Sequence, residues 1–231
     1  MTLNIEFSSP FKDFLLEPKP STFYVLEEYK KMKNRVGKNL EVPTVKKCMP
    51  FLDVLISGYV IPFPYDVLYW YDEEKKEVHF DLPDDIPVDF FGVREHDHQQ
   101  MTESLKYNRR TLDVVFKFMN PWSIKTPSGY SCLFTHPFNR NSYFKIIDGI
   151  VDTDKYHIPV NFPFYWSNKH TERVLLKRGD PMCLVFPFKR QSWKMSVKKT
   201  LQEDSDFKRL SFIKFFEDNY KKIIWSKKSY K

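Results

Sequence analysis

The chain reads as a mainly β protein, an antiparallel barrel or sandwich with a short N-terminal helix and a basic amphipathic helix at its C-terminal end. Three observations carry this reading. From about Val45 to Phe188 the apolar residues come in short runs broken by Pro, Gly and Asp, as strands bounded by turns do. No amphipathic helical segment alternates with those runs, which a parallel α/β sheet would require. Aromatics make up 17% of the residues, with 22 Phe and 13 Tyr against 6 Gly, a composition that suits pleated, half-buried surfaces.

The elements follow in order. VLEEYKKMKNRVG, Val25 to Gly37, places Val25, Leu26, Tyr29 and Met32 on one side with Gly37 as a C-cap, which predicts a short helix. The runs LISGYVIPFPYDVLYWY, KEVHFDL, VVFKF, GYSCLF, YFKIIDGIV, VNFPFYW, ERVLLKRGD and MCLVFPF predict the strands. Finally SDFKRLSFIKFFEDNYKKIIWSKK repeats apolar residues every three or four positions (Phe207, Leu210, Ile213, Phe216, Tyr220, Ile223, Ile224), with Ser205 or Asp206 as N-cap. Its other face carries Lys208, Arg209, Lys214, Lys221 and Lys222. The expected division is an N-terminal extension over 1–44, a β-rich core over 45–195 and the basic helix over 196–231.

Charge is unevenly placed. The formal net charge is +7, yet from Lys189 onward there are 13 Lys and Arg against five acids, so the preceding residues sum to −1. A neutral body argues against nucleic-acid binding except through the basic C-terminal helix. Cys48, Cys132 and Cys183 lie far apart with no CxxC pair, which argues against a disulfide framework and a thiolate zinc site. There is no long apolar run and no basic, apolar leader, so the expectation is a soluble intracellular protein that does not enter a membrane.

Three stretches could carry chemistry. In REHDHQQ, His96 and His98 would point the same way on a strand, as metal ligands do; a metal-dependent oxygenase is the reading this pair opens, against ordinary histidines on a strand edge. In KTPSGYSCLF, Thr126, Pro127, Ser128 and Gly129 form a turn that can aim N–H groups and hydroxyls at an anion. Ser131 and Cys132 follow that turn, but no GxSxG elbow surrounds them. In GIVDTDKYHIPVNFPF, Asp152 and Asp154 share one side of an extended chain, where a carboxylate can orient water or help hold a hydrated cation, and Tyr156 offers a ring to stack on a sugar or base. Asp also favours turns on its own account.

The succession of a TPSG turn, a GIVDTDKY turn and an RGDPMCLVF strand (Arg178 to Phe186) resembles the motif order of the dUTPase and dCTP deaminase superfamily. LISGYVIPFPYDV, Leu55 to Val67, would be its opening strand pair. The resemblance implies a β-clip-like fold over about residues 55–190. It also implies a Ser-Gly turn at phosphate, a water-orienting acid and a sugar-stacking tyrosine. Pro127 stands where that family has an arginine, Lys155 precedes Tyr156, and a basic segment replaces the glycine-rich arm.

Four segments make a closer match: VKKCMPFLDVLISGYVIP, TPSGYSCLFTHPFNR, GIVDTDKYHIPVNFPF and FPFKRQSWKM. Together, over about residues 45–195, they are similar to an uncharacterised family common in tailed-phage and bacterial genomes. The resulting expectation is a phage-encoded protein in the host cytoplasm that binds a nucleotide or other small phosphorylated ligand. Asp152, Asp154 and Tyr156 are the candidate catalytic residues, and Thr126, Ser128, Gly129, Lys189 and Arg190 the candidate phosphate holders. Mg²⁺ would bridge phosphate oxygens, and a homotrimer is a compatible assembly. The alternative expectation is a non-catalytic virion component or host-binding protein.

Overall fold

The structure is a computed structural model that describes residues 3–84, 92–96, 115–166, 172–199 and 220–231. The chain forms two compact units, and neither is continuous in sequence. Met1–Pro20 joins Gly58–Arg190 in the first, and Ser21–Ser57 joins Gln191–Lys231 in the second.

In chain order the strands are β1 (Glu6–Ser8), β2 (Lys19–Pro20), β3 (Arg35–Val36), β4 (Val42–Pro43), β5 (Tyr59–Pro62), β6 (Val67–Asp72), β7 (Glu77–Asp81) and β8 (Val93–His96). They continue as β9 (Val115–Phe118), β10 (Ser123–Lys125), β11 (Tyr130–Thr135), β12 (Phe144–Ile146), β13 (Gly149–Val151), β14 (Phe162–Trp166), β15 (Val174–Leu176) and β16 (Pro181–Lys189). All pairings among the described residues are antiparallel. The first unit holds a five-stranded sheet in the order β13-β11-β16-β5-β2, a four-stranded sheet β12-β14-β9-β8, a three-stranded sheet β15-β6-β7 and the pair β1-β10. The protein is therefore mainly β, as the apolar runs predict, in several sheets of which none closes into a barrel among the described residues.

Aromatic side chains join these sheets. In FPFYW of β14, Phe162, Phe164 and Trp166 are all buried, one residue apart from the next, while Pro163 and Tyr165 take the other face. Phe164 stacks on Phe118 of β9 at 3.8 Å between centroids, and Trp166 stacks on Tyr69 of β6 at 3.5 Å. Phe63 and Phe144 close edge-on over Phe118, at 5.1 Å each. Such pairs contribute roughly 0.5–1.5 kcal/mol beyond the apolar area they remove from water. Seven phenylalanines, Phe63, Phe116, Phe118, Phe134, Phe144, Phe162 and Phe164, lie in this core.

Among the described residues the second unit contains the hairpin β3-β4 and the α-helices α1 (Glu27–Lys31) and α2 (Met49–Ile56). Here the structure departs from the periodicity. The first helix stops six residues short of Gly37, because Met32 turns extended (ψ 137°) and the chain enters the hairpin; Gly37, at φ 98°, serves the hairpin turn. The helix α2 lies in MPFLDVLI, whose apolar residues resemble a strand run; Pro50 sits in its first turn, where a missing N–H is tolerated. Tyr29 stacks on Phe51, and Asp53 accepts hydrogen bonds from Trp225 Nε1 (3.0 Å) and Lys228 Nζ. Most of the expected C-terminal helix, including Phe207 to Phe216, lies outside the described residues; Tyr220–Ile224 forms one π-helical turn.

Gly58 begins the first unit's β segment with φ 77°, and a Cβ there would lie 2.5 Å from the Val185 carbonyl oxygen. Gly58→Ala should lower the denaturation midpoint, since a left-handed non-glycine residue alone costs about 1–3 kcal/mol. Phe164→Ala should cost about 3–5 kcal/mol in the same experiment, because its stack with Phe118 leaves a void that the sheets on either side cannot collapse around.

Candidate functional site

Two strand registers build the site. Antiparallel pairing of Cys132 with Val151 sets Ser131 across from Asp152, just beyond the end of β13. Pairing of Tyr130 with Lys189 sets Arg190 across from Gly129, and the Arg190 N–H donates to the Gly129 carbonyl at 2.9 Å. The turn from Pro127 to Tyr130 is closed by the Tyr130 N–H on the Pro127 carbonyl (3.2 Å), with Gly129 at φ 83°.

Thr153 fixes the second turn. It is fully buried; its hydroxyl bonds Thr126 Oγ1 at 2.8 Å and reaches Cys132 Sγ at 3.3 Å, while its carbonyl accepts the Thr126 N–H. With Thr153 turned inward, Asp152 and Asp154 take the other face of the turn together. The Lys155 and Tyr156 N–H groups both donate to the Asp152 carbonyl at 2.9 Å and close the turn.

Arg190 takes both acids. Its Nη1 and Nη2 form a two-pronged pair with Asp154 Oδ1 (2.8 Å) and Oδ2 (2.5 Å), and Nη1 also reaches Asp152 Oδ1 at 3.1 Å. Asp154 Oδ2 further accepts the Gly129 N–H at 2.9 Å. The Ser131 hydroxyl donates to Asp152 Oδ1 at 2.7 Å and accepts from Arg190 Nη1 at 3.1 Å. The side chains differ in access: Asp154 is 4% exposed, Arg190 31% and Asp152 55%.

These contacts govern protonation. The Arg190 guanidinium, then the Gly129 N–H, hold the Asp154 carboxyl well below the usual carboxylate range. The Ser131 hydroxyl, followed by Arg190, lowers Asp152, and Asp154 in turn raises Arg190. Two carboxylates and one guanidinium leave the cluster at −1, with Lys155 and Lys189 exposed beside it.

The structure therefore gathers Thr126, Gly129, Asp152, Asp154 and Arg190 into one hydrogen-bonded cluster. Ser128 is exposed at the tip of the first turn, Lys189 is exposed at the end of β16, and Tyr156 is 45% exposed after the second turn. The Arg190 fork, expected at phosphate, is occupied by Asp154. The cluster does not fit Mg²⁺ held by both acids, because Asp154 is matched by Arg190 and only Asp152 Oδ2 is left without a described partner. His96 lies on β8, in a different sheet from β13, which Asp152 follows, and His98 lies outside the described residues. Among the described residues no three His, Cys, Asp or Glu side chains come together as a metal site. Ser131 belongs to the cluster as the partner of Asp152; the signal for it is the β11–β13 register, which single-residue motifs do not display.

Two outcomes are expected. Because Asp152 and Asp154 have lowered values in the fold, the stability they confer is present above the unfolded carboxylate range, about pH 3.9, and is lost as pH falls toward their folded values. Thermal unfolding between pH 7 and pH 2 should therefore show a steep acid loss in the wild type and a shallower one in Asp154→Asn, which should also melt lower at neutral pH. With a thiol reagent at pH 8, the exposed Cys48 should react first. Cys132, driven up to about 11 by burial, and Cys183, raised by burial, should react only after unfolding.

No family model matches this chain, and a search of curated proteins finds no match to it.

Proposed function

We propose that the protein binds a small phosphorylated ligand of the nucleotide class where the Thr126–Ser131 segment, the Asp152–Tyr156 turn and the end of β16 meet. One observation carries the reading: Asp152 is a half-exposed carboxylate kept ionised by Ser131 and Arg190, with Oδ2 turned to no described partner. Such an oxygen accepts a ligand hydroxyl or orients a water for attack. Tyr156 supplies a ring for the sugar, and Ser128 with Lys189 meets the phosphates. Arg190 and Asp154 are positioning residues: the pair locks both turns to β16 and keeps Asp152 charged. The resemblance to the dUTPase and dCTP deaminase superfamily, and to the phage family, supports this assignment, under which the protein would act in the cytoplasm of an infected cell.

The test is the full-length protein with a panel of nucleoside mono-, di- and triphosphates and Mg²⁺, read by thermal shift and by phosphate or pyrophosphate release. The expected result is a rise in melting temperature with at least one nucleotide, lost in Asp152→Asn and weakened in Lys189→Ala. No shift and no turnover across the panel would overturn it.

A second reading has its own observation. In QSWKMSVKK, Gln191 to Lys199, the backbone has no regular structure, and Trp193, Met195 and Val197 are 88%, 86% and 85% exposed. These alternate with Ser192, Lys194, Ser196 and Lys198, the pattern of a strand that adds to another protein's sheet edge. This reading makes the protein a non-catalytic binder of a host or virion protein. It predicts a partner in pull-downs with the wild type that a Trp193→Ser, Met195→Ser variant fails to retain. No helix among the described residues is long and apolar enough to cross a membrane.

A further inference from the structure

Behind the acid cluster the side chains of Thr126, Thr153 and Cys132 form a buried chain of hydrogen bonds. Thr153 and Cys132 are 0% exposed and Thr126 is 6% exposed, so the chain is closed to solvent. Thr153 Oγ1 donates to Cys132 Sγ at 3.3 Å and is joined to Thr126 Oγ1 at 2.8 Å. A hydroxyl carries one proton. Since Thr153 gives its proton to sulfur, Thr126 must donate the 2.8 Å bond, and the chain runs one way, from Thr126 through Thr153 to Cys132. The Thr126 N–H is spent as well, on the Thr153 carbonyl at 3.3 Å. Thr126, expected to hold phosphate, therefore has no donor left to offer one.

Alternation of side chains along β11 couples this chain to the cluster. Cys132 meets Thr153 on one face, and its neighbour Ser131 meets Asp152 on the other, donating to Oδ1 at 2.7 Å. The dipeptide Asp152-Thr153 is thus pinned to the dipeptide Ser131-Cys132 by one bond on each face. A carboxylate on a turn keeps its distance to a serine only if the backbone that carries it is held, and the inner bond holds it.

The same hydroxyl protects the seat of Arg190. The Tyr130 carbonyl accepts Arg190 Nη1 at 3.0 Å and lies 3.4 Å from Thr126 Oγ1. Without Thr153 as its acceptor, Thr126 would donate to that carbonyl and compete with the guanidinium that meets Asp152 at 3.1 Å. We propose that Thr153 is a positioning residue of the candidate ligand site: its buried hydroxyl, set between Thr126 and Cys132, holds the Asp152 carboxylate against Ser131 and Arg190 and leaves Oδ2 to the ligand. The use of that oxygen rests on the phosphorylated-ligand reading above; the geometry stands without it.

The experiment follows the Asp152 carboxyl of the full-length protein by carbon-detected NMR from pH 7 to pH 3, in the wild type, Thr153→Val and Thr153→Ser. Asp152 is held down first by the Ser131 hydroxyl and then by Arg190, with Asp154 opposing them. In the wild type it should titrate below the ordinary carboxylate range. Thr153→Val keeps the branched shape without the hydroxyl and should raise the midpoint toward about 3.9. Thr153→Ser, which retains the hydroxyl, should return it to the wild-type value. A purely structural threonine would lower the melting temperature and leave this midpoint where it was. An unmoved midpoint in folded Thr153→Val overturns the proposal, and so does a Thr153→Ser midpoint as high as that of Thr153→Val, which would assign the effect to packing. If Thr153→Val does not fold, Cys132→Ala removes the same inner bond from the other side; the midpoint should again rise, and its staying low counts against the proposal. ATP, CTP, GTP and UTP with Mg²⁺ form a separate arm: any that binds the wild type should bind Thr153→Val up to about tenfold more weakly, the worth of one hydrogen bond. Failure of all four to bind the wild type counts against the ligand reading, while the carboxyl titration still decides the role of Thr153.

Discussion

The register of β11 between β13 and β16 is the constraint from which the candidate site follows. A slip of one residue in either pairing would turn every side chain of β11 to the opposite face. Ser131 would then leave Asp152, and the fully buried Cys132 would face outward. The register is held at both ends: the buried Thr153–Thr126 hydroxyl pair and the Arg190 fork tie the turns at the Tyr130 end, and the Thr135 hydroxyl donates to Asp148 Oδ1 at the other. Burial of Phe134 and Val185, paired across β11 and β16, resists the same slip in the middle.

Much of the β core was legible in the amino-acid order, because strands announce themselves locally. Phe162, Phe164 and Trp166 alternate with partly exposed residues, and Val67, Tyr69 and Tyr71 do the same in β6. The helix α2 was not legible: Phe51, Leu52, Val54, Leu55 and Ile56 form an apolar run whose period cannot separate a buried helix from a buried strand. The hairpin β3-β4 was hidden for another reason, since each of its strands is two residues long and only two pairs join them. In the candidate site, the two acids and Arg190 stand out as residue types. Their mutual pairing depends on positions 36 and 38 residues apart in sequence, a distance that only the sheet spans.

The cluster shows how an acid pair can be present without being a metal site or a pair of free bases. Arg190 cancels one charge at the carboxylate with the least access to water, where an unpaired ion would be costly. The remaining charge sits on the more exposed acid, where hydration and the Ser131 hydroxyl stabilise it. Environment thus divides two chemically identical side chains into one that organises the turns and one that faces solvent.

Arg190 is also the last residue of the first unit; the chain passes to the second at Gln191. Its guanidinium is bonded to two acids and to the Tyr130 carbonyl, and its own N–H to Gly129, so the residue at the exit is the most heavily bonded side chain of the β16 end. A pull on the chain at Gln191 meets this anchor first. Its bonds would have to shear together before β16 could peel from β11.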